Sequence, residues 1–349
     1  MSWKNKLFYQ ALYFAASIII GFADVGWSQL STSATFLLQS LGARGLALGE
    51  SYVAVADGIH SVYWNPAGLS MSGEKVQMAF THRPSILMNT QNFELFALAY
   101  QLGTRSTLAA HYIYVDYGYV GDLPNHTYVY TIGATYAAQI NKQLSSGLTL
   151  KRISQELLRS AHSLAVDVGV LYQWQDFLRA QCCQSQLNFG TSLSNLGQKA
   201  EFFAGQTDPL PQFLRVGLAS SLRSRATWAE TELSRVGMLI SFEYQKLLND
   251  KEKVWEWGTG IELQFLEMMH FRVGYHKRLP QTNRTAIGKT LETGTTYGFG
   301  FNMPVDQIFK IAQPFTLQFD FASTPQGGWV KRYDMFTFKV GFGAQPSRN

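Results

Sequence analysis

The residue types that do chemistry are present in this sequence, but their spacing argues against most of that chemistry. Seven histidines occur, at His60, His82, His111, His126, His162, His270 and His276. None forms an HxxH or HExxH pair and none joins a Cys/His cluster, so no metal site is expected. A barrel hydrolase would need a Ser/His/acid set near a rim. Ser163 beside His162, with His126 in a loop, supplies the residue types. There is no Gly-x-Ser-x-Gly elbow to expose a nucleophile, so an enzyme is not expected. Cys182 and Cys183 are the only cysteines and are adjacent. A disulfide between neighbours is strained and their spacing matches no zinc or redox motif, which leaves two incidental thiols in a turn. The glycine-rich run 42–49 carries no Lys-Ser/Thr and leads into no long helix, so it does not cradle phosphate. No cofactor is expected.

One stretch remains as a candidate site. Arg44 lies in the small, flexible run Gly42-Ala43-Arg44-Gly45-Leu46-Ala47-Leu48-Gly49. An arginine held in an interior needs a carboxylate, and the expected partner is Asp57 or an inward carboxylate such as Asp167 or Asp320. Ser51 to Ala56 reads as a short strand, and Asp57 as the cap of a short helix running to about Trp64. Asn65-Pro66-Ala67-Gly68 ends that helix, because proline disfavours the helical region in the residue before it. Two roles compete for Asp57 to Leu69. It could be a hatch that moves, or Trp64 could simply pack inside while Asn65 bonds to the backbone of the turn.

The elements that must hold this stretch follow from composition and periodicity. Only 15% of the 349 residues are charged, against about a quarter in an ordinary soluble domain. Aromatic residues make up 14%, which excludes a disordered chain. Beyond residue 23 no apolar run is long enough for a membrane helix. A net charge of +5 with no Lys/Arg run gives no case for nucleic acid. Period-two alternation recurs instead. Tyr130, Ile132, Ala134 and Tyr136 face one way and Thr131, Gly133 and Thr135 the other. Phe336, Phe338, Val340 and Phe342 alternate with Thr337, Lys339 and Gly341.

The alternation predicts strands over 75–82, 93–102, 105–116, 127–141, 143–154, 161–175, 186–195, 212–223, 236–246, 254–265, 267–278, 294–303, 315–323 and 333–343. Most have the roughly 9–11 residues of a tilted membrane strand. Connections such as 102–105 and 265–267 are tight, while 117–126, 196–211 and 279–293 are long. The connections 224–235 and 304–314 break that rule, since both should be short turns. Aromatics near strand ends, such as Tyr112, Tyr114, Trp255 and Trp257, suit interfacial girdles. A soluble sandwich or propeller would hide them in a core.

The expected fold is therefore all-β, a transmembrane antiparallel β-barrel of about 14 strands with an N-terminal plug or hatch inside. Residues 1–28 read as an export signal, with Lys4 and Lys6 ahead of the apolar stretch Leu7 to Ala23 and cleavage near Ser28–Gln29. Residues 29–73 are the plug segment and 74–349 the barrel. The expected location is the outer membrane of a Gram-negative bacterium, with lipid around the wall. A porin open to ions would carry a more charged lumen than this.

At this point the sequence resembles a known family. The run Gly42-Ala43-Arg44-Gly45, Gly49, Tyr52 to Gly58 and Tyr63-Trp64-Asn65-Pro66-Ala67-Gly68-Leu69 is similar to the N-terminal signature of PorV/PorQ-like outer-membrane proteins, relatives of the FadL-type fourteen-stranded barrels. Asn195-Leu196-Gly197, Pro209-Leu210-Pro211, Arg215-Val216-Gly217 and the closing Gly298 to Phe342 region extend the resemblance over nearly the whole mature chain. The chain departs from the family at Gly58-Ile59-His60 and in the tail Gly343 to Asn349, which follows the last strand where an aromatic end is usual. The resemblance implies a component or partner of type IX protein secretion, with secretion-system proteins or secreted cargo as partners. Phe202, Phe203 and Trp329 are candidate loop contacts. The alternative it implies is FadL-like transport of hydrophobic small molecules, with a hydrophobic ligand in the lumen.

Overall fold

The structure is a computed structural model. It describes residues 34–84, 92–118, 127–156, 160–203, 206–224, 236–249, 255–278, 293–310, 312–325 and 332–344. The export-signal residues 1–28 lie outside them.

Sixteen strands follow in chain order. They are β1 (Glu74–Arg83), β2 (Asn92–Gln101), β3 (Ser106–Gly118), β4 (Thr127–Gln139), β5 (Leu144–Glu156), β6 (Ser160–Gln175), β7 (Cys183–Gly197) and β8 (Ala200–Phe203). Then come β9 (Gln206–Asp208), β10 (Phe213–Ser224), β11 (Val236–Leu247), β12 (Trp255–Phe265), β13 (Met269–Arg278), β14 (Gly294–Pro304), β15 (Phe315–Pro325) and β16 (Arg332–Ala344). Fourteen form one closed antiparallel barrel, and β8 and β9 make a separate small hairpin in the connection from β7 to β10. Closure is between first and last strands, with Glu74 opposite Ala344 and Phe80 opposite Phe338. Every predicted strand is found, with its ends displaced by at most three residues.

Closure satisfies each strand's backbone without an edge, as a segment surrounded by hydrocarbon requires. The side chains divide accordingly. Met78, Phe96, Ile132, Leu164, Phe271 and Phe338 are exposed on the outer face. Tyr112 packs against Tyr130 at 5.9 Å, and Tyr244 against Trp255 at 4.8 Å, with tilted rings, on the outer face toward one end. The chain termini of the barrel lie at the other end, where the turns 102–105, 140–143 and 266–268 are tight. Short turns mark the periplasmic side of such barrels. The turn 304–314 is long because it folds into a short helix, Val305–Phe309.

The lumen is filled by the chain that precedes β1. Residues 34–73 form no strand; they alternate short helices, Ala43–Ala47 (α1) and Ser61–Trp64 (α2), with 3-10 turns. The expected strand at Ser51–Ala56 is a turn instead. A closed wall offers no free edge for it to join; the amides of Tyr52 and Val53 donate to Glu243, and those of Val55 and Ala56 donate to the Tyr52 carbonyl. Toward the extracellular end, Phe36, Leu37 and Leu41 pack with inward Phe93, Ile113, Val129 and Met335 in one apolar cluster. Leu210 from the β7–β10 connection joins it.

No ladder pairing of the barrel begins before Glu74. Deleting residues 42–69 is therefore expected to leave a barrel that closes, read as retained heat-modifiable migration on a gel. A variant that never gives the folded band would make the segment part of the wall.

Candidate functional site

The site is the seat of residues 42–69 in the lumen, and it begins with glycine. Seven strands turn a glycine inward at mid-depth, where a side chain would collide with the plug. A Cβ on Gly190 would fall on the Val53 carbonyl, one on Gly147 on the backbone of Pro66, and one on Gly274 on the Gly49 amide. Gly258 and Gly260 meet Gly49 and Leu48 in the same way, and Gly298 meets Ala47. Gly169 leaves room for the Asn65 amide. Plug backbone therefore lies directly on strand backbone.

Polar groups of the wall complete that seat. Glu243 Oε2 accepts from the amides of both Tyr52 and Val53, at 2.7 Å each. Ala43 N donates to Thr337 Oγ1 at 3.1 Å, Gly49 N to Thr296 Oγ1 at 3.0 Å, and Ile59 N to Gln77 Oε1 at 2.9 Å. Ser192 Oγ donates to the Trp64 carbonyl at 2.9 Å. The short helices leave terminal amides and carbonyls unpaired within the plug, and the wall supplies many of their partners.

The motif residues meet within this seat. Gly42 has φ +97, a conformation glycine adopts at little cost. Gly45 lies against the Trp64 indole, where a Cβ would come within 2.9 Å of the ring. Trp64 is buried and its Nε1 donates to the Leu41 carbonyl at 2.9 Å. Asn65 is extended ahead of Pro66; its Oδ1 accepts from Ala67 N at 3.2 Å, and its Nδ2 donates to the carbonyls of Val53 and Val170. One amide thus ties the turn to the plug and to β6. Gly68 packs on the Ala56 carbonyl. Phe202 and Phe203 stand on β8, away from this seat in the chain, and Trp329 lies outside the described residues.

Arg44 corrects one expectation. Its partners are Asp57, Nη1 to Oδ1 at 2.9 Å, and Glu262 of β12, through Nε and Nη2 at 2.9 Å each. Asp320 is taken by Arg272, at 2.6 Å, and Asp167 by Lys151, at 2.6 Å. Arg272 also holds Glu262 at 2.5 Å. The result is a chain of charges, Asp57–Arg44–Glu262–Arg272–Asp320, running from the plug into the wall. Burial works against the Arg44 charge, but the carboxylates of Asp57 and Glu262 outweigh it and hold its pKa well above the ordinary value. Asp57 precedes a 3-10 turn without capping it; its carboxylate serves Arg44 and the Tyr52 hydroxyl.

Glu243, Glu262 and Arg272 are not singled out by the sequence motifs. Each interrupts large apolar residues, as Glu262 does between Ile261 and Leu263. A charge in such a position must face inward, and that was the available signal.

The histidines and Ser163 do not converge. His162 faces outward against Ser154 at 3.0 Å, whereas Ser163 faces inward and donates to the Gln198 carbonyl; His126 lies outside the described residues. Among the described residues no three His, Cys, Asp or Glu side chains converge on a metal position. Cys182 and Cys183 are free thiols.

Comparison with known proteins adds three findings. A family profile described as "Type IX secretion system protein PorV" matches residues 25–226. No curated protein matches the sequence. Among solved structures, the CymD monoaromatic hydrocarbon channel is 12% identical with a TM-score of 0.47, over 89% of this chain and 99% of that one. The Pseudomonas putida toluene transporter TodX is 11% identical with a TM-score of 0.47, over 90% and 99%. The Ralstonia pickettii toluene transporter TbuX is 11% identical with a TM-score of 0.44, over 89% and 100%.

Removing Arg44 and removing Asp57 should differ sharply. Arg44→Ala strips a buried ion pair of its cation, with a cost of about 3 kcal/mol. Asp57 is 52% exposed, and Asp57→Asn should cost about 1 kcal/mol or less. Proteolysis within the plug should accelerate about a hundredfold in the first and less than about tenfold in the second. Equal rates would mean that Arg44 does not anchor the plug.

His60 gives a pH dependence. It is buried, neither ring nitrogen has a hydrogen-bond partner among the described residues, and burial lowers its pKa to about 4. The unfolded ring takes its proton near pH 6.5, so the stability is complete above that pH and is lost as pH falls toward 4. The loss reaches about 2 kcal/mol at pH 5. The ratio of plug proteolysis in the wild type to that in His60→Leu should rise as pH falls over this window; parallel profiles would exclude His60 as a cause.

Proposed function

This chain belongs to the family of type IX secretion system PorV proteins, and we propose that within that system it is a closed docking component, not a conduit and not an enzyme. It is an outer-membrane β-barrel associated with type IX secretion. The observation that supports the docking role is the filled lumen: plug backbone lies on inward glycines and Arg44 is paired on both sides. A barrel in this state offers surfaces in place of a path. Those surfaces are the extracellular connections, where Phe202, Phe203 and Trp329 occur in the sequence, and the aromatic outer wall.

On this reading residues 1–28 are a cleaved export signal, 29–73 the plug and 74–349 the wall. The partners are other secretion-system proteins or secreted cargo met at the extracellular face, within outer-membrane lipid. Transport of hydrophobic small molecules would need a route past the apolar cluster of Phe36, Leu37 and Leu41, and the filled lumen favours docking over it.

The test combines capture and permeability. After crosslinking and mild detergent extraction, the protein should co-purify with secretion-system components, and in liposomes the intact chain should admit neither small polar solutes nor toluene. Deleting residues 42–69 should open it to polar solutes. Recovery only as a lone barrel, or toluene entry through the intact chain, would overturn the docking reading.

A further inference from the structure

A cavity of about 400 Å³ lies beneath the plug at the periplasmic end, with Arg44, Val55 and Asp57 as its ceiling. It is a vestibule, since β6, β7, β10, β11 and β12 wall it where they approach the turns at that end.

Its lining is unusual in this lumen. Six primary amides converge there: Gln173 and Gln175 of β6, Gln184, Gln186 and Asn188 of β7, and Gln264 of β12. Asn188 donates to the Ala54 carbonyl, and Gln186 donates to Asn188. The side-chain amides of Gln173, Gln175, Gln184 and Gln264 make no hydrogen bond to any described residue. Elsewhere in the lumen Gln77 is engaged with Ile59 and Gln245 with Glu256.

The spacing selects a ligand chemistry. Alternate residues of a strand lie about 6.8 Å apart, and an extended peptide repeats its own outward-facing groups at the same interval. Gln184, Gln186 and Asn188 form such a ladder, and register sets Gln175 opposite Gln186 and Gln173 opposite Asn188. Each amide offers donors and an acceptor, as each peptide unit does. The lining includes no aromatic ring on which a sugar could stack, and its two arginines already have carboxylate partners, Arg44 with Asp57 and Glu262 and Arg223 with Glu267, which disfavours a phosphate.

We infer that this vestibule is a binding site for an extended, polar polypeptide segment entering from the periplasm. The site stands apart from the extracellular docking surfaces proposed above, and either role survives the loss of the other.

The test uses the full chain in detergent and a fluorescein-labelled pool of acetylated hexapeptides carrying Ser, Thr, Asn or Gly at each position. Fluorescence anisotropy should show saturable binding to the wild type, unaffected by excess maltohexaose. Gln184→Leu with Gln186→Leu should weaken it at least about tenfold, and Ile132→Ala on the outer face should leave it unchanged. Heat-modifiable migration reports whether the double variant folds; if it does not, Gln264→Leu alone should weaken binding about threefold. No saturable binding at millimolar peptide, equal affinity in the folded variants, or displacement by maltohexaose would overturn the inference.

Discussion

The structure depends on how closely two backbones approach. Residues 42–69 lie against the strands at a distance that only glycine permits, so the plug is fitted to the wall instead of loosely filling a tube. Where the two backbones meet this closely, a plug amide facing the wall needs an acceptor there. Glu243, Thr296, Thr337 and Gln77 supply those acceptors. The charges follow from the same constraint. Arg44 is confined beside β12, and a guanidinium there is tolerable only with Asp57 and Glu262 on either side.

The wall and the plug were not equally legible. Strand positions could be read because lipid outside and plug inside impose alternation on each strand, as in Tyr130 to Tyr136. The small hairpin β8–β9 escaped because three- and four-residue strands carry too little pattern. The existence of the plug was readable from its lack of alternation, but its contacts were not. The need of Arg44 for a carboxylate is legible in the sequence, and Asp57 is one of the partners it offers. Glu262 was missed because the pairing depends on which strand the plug crosses, a fact set by three-dimensional seating. The inward glycines were visible only as the small members of the alternation. Their role as a seat emerges once the opposing backbone is in place.

Membership of the type IX secretion family and the filled lumen point in the same direction. On the docking reading, a barrel filled along its middle has two regions left, its extracellular connections and its periplasmic vestibule. The first is suited to partners at the cell surface. The second carries a cluster of amides of which Gln173, Gln175, Gln184 and Gln264 make no side-chain hydrogen bond to a described residue. The Asp57–Arg44–Glu262 link forms part of the vestibule's ceiling, so the plug's anchor and the cavity share residues.

The central claim is that the plug is as firmly held as the wall, and amide hydrogen exchange measures this directly. In the purified protein in detergent, Ala43, Gly49, Tyr52, Val53, Ile59 and Asn65 should exchange as slowly as amides in the middle of β6 and β11, because each donates to a buried acceptor. Exchange of residues 42–69 within seconds, with the strands still protected, would show a plug that leaves its seat freely and would contradict this account.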